Sequence, residues 1–277
     1  MNNKNNNFSL NKLNNNYNKI ALGIEYDGSN YYGWQRQKKL KTIQSTIESA
    51  IHQITNEHIQ VYCAGRTDKG VHAIRQVVHF ETKKIYKQST WINGINSFLP
   101  NDIVICWQKT VDSSFHARFS AISRKYRYII LNHQCRPAIL SNYVTHYKFK
   151  LDFKKMHTAA QFLIGEHDFT PFRSNSCQSK TPFRNVKEIN IYRHGYYIII
   201  DIIANSFLYH MVRNIVGTLI QIGSGKKDIY WIKKILSLKN KFFSIETAKA
   251  KGLYLVSINY PIEYKIPIEK IENIFLT

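Results

Sequence analysis

The densest group of reactive side chains is the run Gly65-Arg66-Thr67-Asp68-Lys69-Gly70-Val71-His72-Ala73. Glycine at both ends permits tight or left-handed backbone, so such a loop can present its side chains into a cleft. A carboxylate presented in this way can act as a nucleophile, which makes Asp68 the candidate catalytic residue. Arg66 beside Asp68 fits a second reading equally well, a salt bridge that braces a turn. A phosphate-binding P-loop is excluded. Gly65 and Gly70 have its spacing, but Val71 stands where the lysine is required and a strand follows in place of a helix.

Other residues carry chemistry of a different kind. Phe115, Ala117 and Phe119 alternate with His116 and Arg118, and cations interleaved with rings suit RNA, through phosphate contact and base stacking. Ser176, Cys177, Gln178, Ser179 and Lys180 form a weaker polar candidate for RNA contact, since a surface lysine is more often a solvated charge. Arg213 sits among apolar Val212, Ile215 and Val216. There it is either half-buried and in need of an anion, or on the exposed edge of a helix. Tyr126 is either a ring on which a base can stack or a strand aromatic of the core. His167 and Asp168 have no third ligand at metal spacing, which favours a structural role and no metal. The cysteines at 63, 106, 135 and 177 form no CxxC pair and suit free thiols in a reducing cytoplasm.

These side chains need a scaffold, and periodicity sketches one. Residues 20–26, 59–64, 76–81, 103–109, 125–132, 186–193, 196–204 and 253–259 read as strands; 42–54, 91–98, 153–163 and a stripe from Leu208 to Ile222 read as helices. The reactive run falls in an irregular stretch between two strands, and 165–179 reads as a loop. Strands and helices mix with several adjacent strand pairs, so the expected class is α+β with a mixed, mainly antiparallel sheet. Residues 1–18 read as a disordered Asn-rich tail, 19–112 as an N-terminal half carrying the reactive loop, 113–264 as a C-terminal half, and 265–277 as a tail. No signal peptide or membrane span is expected. The chain has 39 Lys plus Arg against 18 Asp plus Glu, a net charge of +21 spread along its length, and so favours a polyanionic partner over a single basic tail.

The reactive run resembles the active-site signature of the bacterial tRNA pseudouridine synthase A family. So do Tyr26-Asp27-Gly28-Ser29-Asn30-Tyr31-Tyr32-Gly33-Trp34-Gln35-Arg36-Gln37, Phe115 to Ala121, Arg124-Lys125-Tyr126-Arg127-Tyr128, Gly165 to Phe169, His210-Met211-Val212-Arg213-Asn214-Ile215-Val216-Gly217 and Gly252 to Val256, in family order. Lys69 departs from the pattern, where the family usually has a small residue. The resemblance implies a pseudouridine synthase fold of two similar halves around a basic cleft, acting as a homodimer on uridines 38, 39 and 40 of the tRNA anticodon stem-loop. It implies Asp68 as the catalytic aspartate, Arg66 filling or bracing the stack vacated by a flipped base, Tyr126 stacking on the uracil, and Arg213 pairing with Asp68. Isomerising uridine involves no net redox change and no imported group, so no cofactor is expected. A zinc-dependent base deaminase, the rival enzyme class, lacks its His-x-Glu and Pro-Cys-x-x-Cys residues here. A tRNA chaperone with a decayed site is disfavoured by the retention of Arg66, Asp68 and Tyr126.

Overall fold

A computed structural model describes residues 17–238 and 245–267. The expected Asn-rich tail, as far as residue 16, and the C-terminal tail from residue 268 lie outside the described residues. In chain order the elements are β1 (Asn18–Tyr26), α1 (Ile43–Thr55), β2 (Tyr62–Cys63), β3 (His72–Thr82), α2 (Gln88–Asn96), β4 (Ile103–Val111), β5 (Ser123–Asn132), β6 (Thr145–Tyr147), α3 (Phe153–Ala160), β7 (Gly165–Asp168), β8 (Phe183–His194), β9 (Tyr197–Ala204), α4 (Met211–Gly223), α5 (Trp231–Ser237) and β10 (Leu253–Asn259).

All ten strands join one sheet in the order β4-β1-β3-β10-β5-β9-β8-β7, with β2 added to β3 and β6 to β5. Pairing is antiparallel except for β3 with β10 and β5 with β6, which gives the expected mixed α+β architecture. β10 arrives from the C-terminal end of the described chain and slots between β3 and β5. It pairs Tyr254 with His72 and Leu255 with Ala73, directly after the reactive loop. The loop therefore leaves the sheet at the seam between the strands before residue 112 and those after it.

The apolar periods explain the layers. Ile20, Leu22 and Ile24 on alternate positions of β1 share one core with Ile43, Ile47 and Ile51 of α1 and with Ile215, Leu219 and Ile222 of α4. Ala21 faces the other way, onto Trp107 and Phe115. α1 starts where Thr42 caps it, its side chain accepting from the Ser45 amide. Several boundaries differ from the sequence reading. β3 begins at His72, because β10 offers it a partner that local pattern does not show. Only Tyr62 and Cys63 of the expected 59–64 strand pair. Residues 165–168 are a strand and not a loop: this polar edge segment has no alternation, and main-chain pairing with β8 forms it. β6 and α5 were not expected.

Candidate active site

The reactive loop is shaped by the residues 26–34 that it lies against. The Tyr26 hydroxyl is 2.7 Å from Thr67 Oγ1, the Trp34 amide donates to the Thr67 carbonyl (3.0 Å), and the Gln76 side-chain amide donates to the Gly65 carbonyl (2.6 Å). Contact is too close for side chains at two points. A Cβ on Gly28 would stand 2.0 Å from the Val71 carbonyl oxygen. Gly33, at φ +85°, would bring one to 2.9 Å from the Thr67 oxygen and 3.1 Å from the Asp68 carbonyl carbon. Below the loop, buried His72 lies with Nδ1 3.0 Å from Asp27 Oδ1 and Nε2 3.1 Å from the Asn142 carbonyl oxygen, which ties the start of β3 to two other segments.

Asp68 meets α4 from across the sheet seam. Arg213 Nη1 donates to Asp68 Oδ2 at 3.0 Å, and Arg213 Nε donates to the Ala248 carbonyl at 2.8 Å, so the guanidinium is held at two points. Arg213 is thus the half-buried arginine with an anion, not the exposed-edge one. His210 Nε2 stands 3.3 Å from the same carboxylate oxygen. The positive end of α4 also favours a carboxylate at this place.

Around this pair opens a cleft of about 930 Å³. Arg66, Lys69, Arg118, Arg124, Arg184 and Arg213 line it, against Asp68 as the one carboxylate among its described lining residues. Tyr126 stands on the floor, nearly buried, with its ring edge-on to Phe207 at 5.0 Å. Burial, reinforced by the Asp68 charge, holds its phenol above the usual range, so it remains protonated. Cys63 also lines the cleft, but burial pushes its thiol up to about 12, which removes it as a competing nucleophile at neutral pH. Lys69 turns away from Asp68: its ammonium sits 4.0 Å above the Tyr32 ring.

The structure sorts the expected RNA-contact residues. His116, Arg118 and Phe119 reach the cleft, with Phe119 three-quarters exposed under the Arg118 guanidinium. Phe115 and Ala117 do not. Both are fully buried beneath the cleft, where Phe115 packs on Tyr260 and Tyr264, so their expected contact with RNA is corrected to a core role. Ser176, Cys177, Gln178 and Ser179 line the cleft, and exposed Lys180 lies beyond its lining. His167 Nε2 bonds the Ile164 carbonyl and Asp168 accepts from the Thr170 amide, both local braces.

Sequence reasoning missed Arg184 and the parts played by His210 and Arg124. Arg124, buried, donates to the carbonyls of Ala64, Arg118, Ala121 and Asn205 and so binds three segments of the cleft wall together. It stands first in a motif that resembles the family, but its bracing role could not be read there, because all four acceptors are main-chain atoms of distant residues or of a turn.

One clamped carboxylate among cations, with an aromatic floor, defines an enzyme site built for a polyanion. The particular family follows from comparison. A family model for tRNA pseudouridine synthase matches residues 23–120 and 159–261. The tRNA pseudouridine synthase A of Photorhabdus laumondii is 56% identical over 93% of this chain and 98% of its own. That of Escherichia coli K12 is 54% identical over 93% and 96% respectively. The chain belongs to the tRNA pseudouridine synthase family, isomerases that convert uridine to pseudouridine in tRNA.

Proposed function

We propose that Asp68 is the nucleophilic carboxylate of this isomerisation and that the target uridines are those at positions 38, 39 and 40 of the anticodon stem-loop. In the reaction the N1–C1′ bond breaks, the uracil turns, and a C5–C1′ bond forms. C5 gives up its hydrogen as a proton and N1 gains one, so the product is an isomer of the substrate. The protein must supply a nucleophile of fixed geometry and a pocket that holds the freed uracil.

The observation that carries this reading is the Arg213 clamp on Asp68 at the floor of a cation-lined cleft. Arg213 orients the carboxylate. Tyr126 offers a ring for the extruded uracil, a contact worth about 1–3 kcal/mol. Arg66 lines the cleft two residues before Asp68, and its role in this reading is to fill the space a flipped base leaves, which offsets part of the few kcal/mol that flipping costs. His116, Arg118, Phe119 and residues 176–179 extend the contact to flanking nucleotides. The reading extends to two comparable halves divided near residue 112, a homodimer and a cytoplasmic location. No described helix is long and apolar enough to cross a membrane.

The test is to incubate the protein with unmodified tRNA, without added cofactor, and map pseudouridine by position. Wild type should modify 38–40 and Asp68→Asn none of them, while tRNA binding by Asp68→Asn stays within a few-fold. Turnover by a clean Asp68→Asn preparation removes the nucleophile assignment, and product elsewhere in the tRNA removes the positional one. Light scattering of the full chain checks the dimer.

A further inference from the structure

The helix that delivers Arg213 begins in an unusual way. Its N-cap residue, His210, has φ 63° and ψ 0°, in the left-handed region, and its side chain makes no capping bond. Glycine or asparagine would adopt this conformation with less strain, and Asn, Asp or Ser would cap better. Histidine therefore serves neither the backbone nor the cap. What the conformation achieves is to aim the ring at the carboxylate. His210 Nε2 stands 3.3 Å from Asp68 Oδ2 and 3.2 Å from Arg213 Nη1. The imidazole is stacked on Tyr209, with ring centroids 4.2 Å apart, and keeps 24% of its side-chain exposure on the cleft wall. A strained residue held against a functional group points to a task for its side chain.

Resting on the reading of Asp68 as the nucleophile, we propose that His210 is a positioning residue for that carboxylate. Its Nε2 accepts from Arg213 Nη1, the same nitrogen that donates to Asp68 Oδ2, so the imidazole holds the guanidinium on that oxygen and the remaining one, Oδ1, is presented to the nucleoside. A guanidinium tied to a main-chain carbonyl at Nε alone could pivot about that bond; a second tie at Nη1 fixes the plane in which it meets the carboxylate. Burial, together with the Arg213 charge, pushes the imidazole below its usual pKa against the pull of Asp68. A neutral ring suits the role. Its free Nε2 lone pair accepts from the guanidinium, which a protonated ring would instead repel.

The backbone and side-chain roles separate cleanly by substitution. Gly and Asn are at ease at positive φ but lack an acceptor at the Nε2 position; the longer Gln carries an amide oxygen to about that position. Single-turnover release of tritium from the uracil C5 of tRNA, at saturating enzyme, measures the chemical step, and binding isotherms measure affinity. His210→Gly and His210→Asn should melt as wild type does and bind tRNA within about twofold. They should turn over about 10- to 100-fold more slowly, the size expected for one lost hydrogen bond to a charged group. His210→Gln should recover most of that loss. Wild-type turnover by the Gly and Asn variants overturns the proposal, and so does a defect that appears in affinity alone, or a Gln variant no faster than Gly at equal melting temperature. An Asp68→Asn control separates the two readings. If it is inactive while His210→Gly is normal, only the positioning role falls; if it is active, the nucleophile assignment itself falls.

Discussion

Replacing Arg213 should cost activity through Asp68, and the structure sets the size. Two unit charges 3.0 Å apart attract by about 5.5 kcal/mol at an effective dielectric constant near 20. Taking both groups out of water consumes much of this, and Arg213 and Asp68 retain only 16% and 14% of their side-chain exposure. A net coupling of about 2 kcal/mol is the reasonable expectation for one charged hydrogen bond in that setting. Arg213→Met should therefore slow the chemical step about 30-fold if Asp68 loses its orientation by the same amount. Arg213→Lys should fall between, since one ammonium cannot reach both Asp68 Oδ2 and the Ala248 carbonyl as the guanidinium does. Urea unfolding of wild type, Arg213→Met, Asp68→Asn and the double variant gives the coupling directly as a double-mutant cycle. The reasoning is refuted if the cycle yields less than about 0.5 kcal/mol while turnover still collapses, because Arg213 would then act on the RNA and not on the carboxylate.

Three further outcomes are expected. Arg66→Ala should lower turnover at saturating tRNA far more than it weakens binding, whereas Lys180→Ala, beyond the cleft lining, should weaken binding and flatten its salt dependence with near-normal saturated turnover; isotherms at several salt concentrations beside single-turnover rates decide. Gly33→Ala should cost about 1–2 kcal/mol in left-handed strain and displace the Thr67–Asp68 peptide, so that turnover drops more than about tenfold while tRNA affinity holds; equal turnover would show that the loop tolerates the shift. Burial, aided by the His116 and Lys19 charges, lowers the His79 imidazole to about 4, so the unfolded chain takes up a proton first as pH falls. Stability is then complete above about 6.5 and is lost between about 6.5 and 4, on the order of 2 kcal/mol after allowance for solvent, which urea midpoints across that range should show and His79→Gln should flatten.

What the sequence made legible was whatever repeats locally. β10 was read to its ends, and α1 and α4 closely, because their apolar periods are clean and their boundaries carry a cap, a glycine or a proline. β7 and the first residues of β3 were not, since polar or short segments become strands only when a distant partner offers its edge. The same division runs through the site. Asp68, Arg66 and Lys69 lie in one contiguous motif and could be named together, and the family resemblance supplied Arg213 as the partner of Asp68. His210 stood in a quoted motif without a role, because that role depends on a positive φ and on a contact with Asp68, 142 residues away, neither of which a local pattern encodes. Phe115 and Ala117 misled for the opposite reason. Alternation of rings and cations was read as one RNA-facing group, yet the turn that carries them divides it: Phe115 and Ala117 enter the core while His116, Arg118 and Phe119 reach the cleft. Their burial is itself functional in a limited sense. With Phe115 wedged against Tyr260 and Tyr264, and the Ala117 carbonyl held by the Tyr260 hydroxyl, the segment bearing His116, Arg118 and Phe119 is fixed to the strand seam from which Asp68 projects. Nucleotides held there would then meet contacts whose distance from Asp68 is set by the core and not by a loop free to move, which is what a reaction relying on position requires.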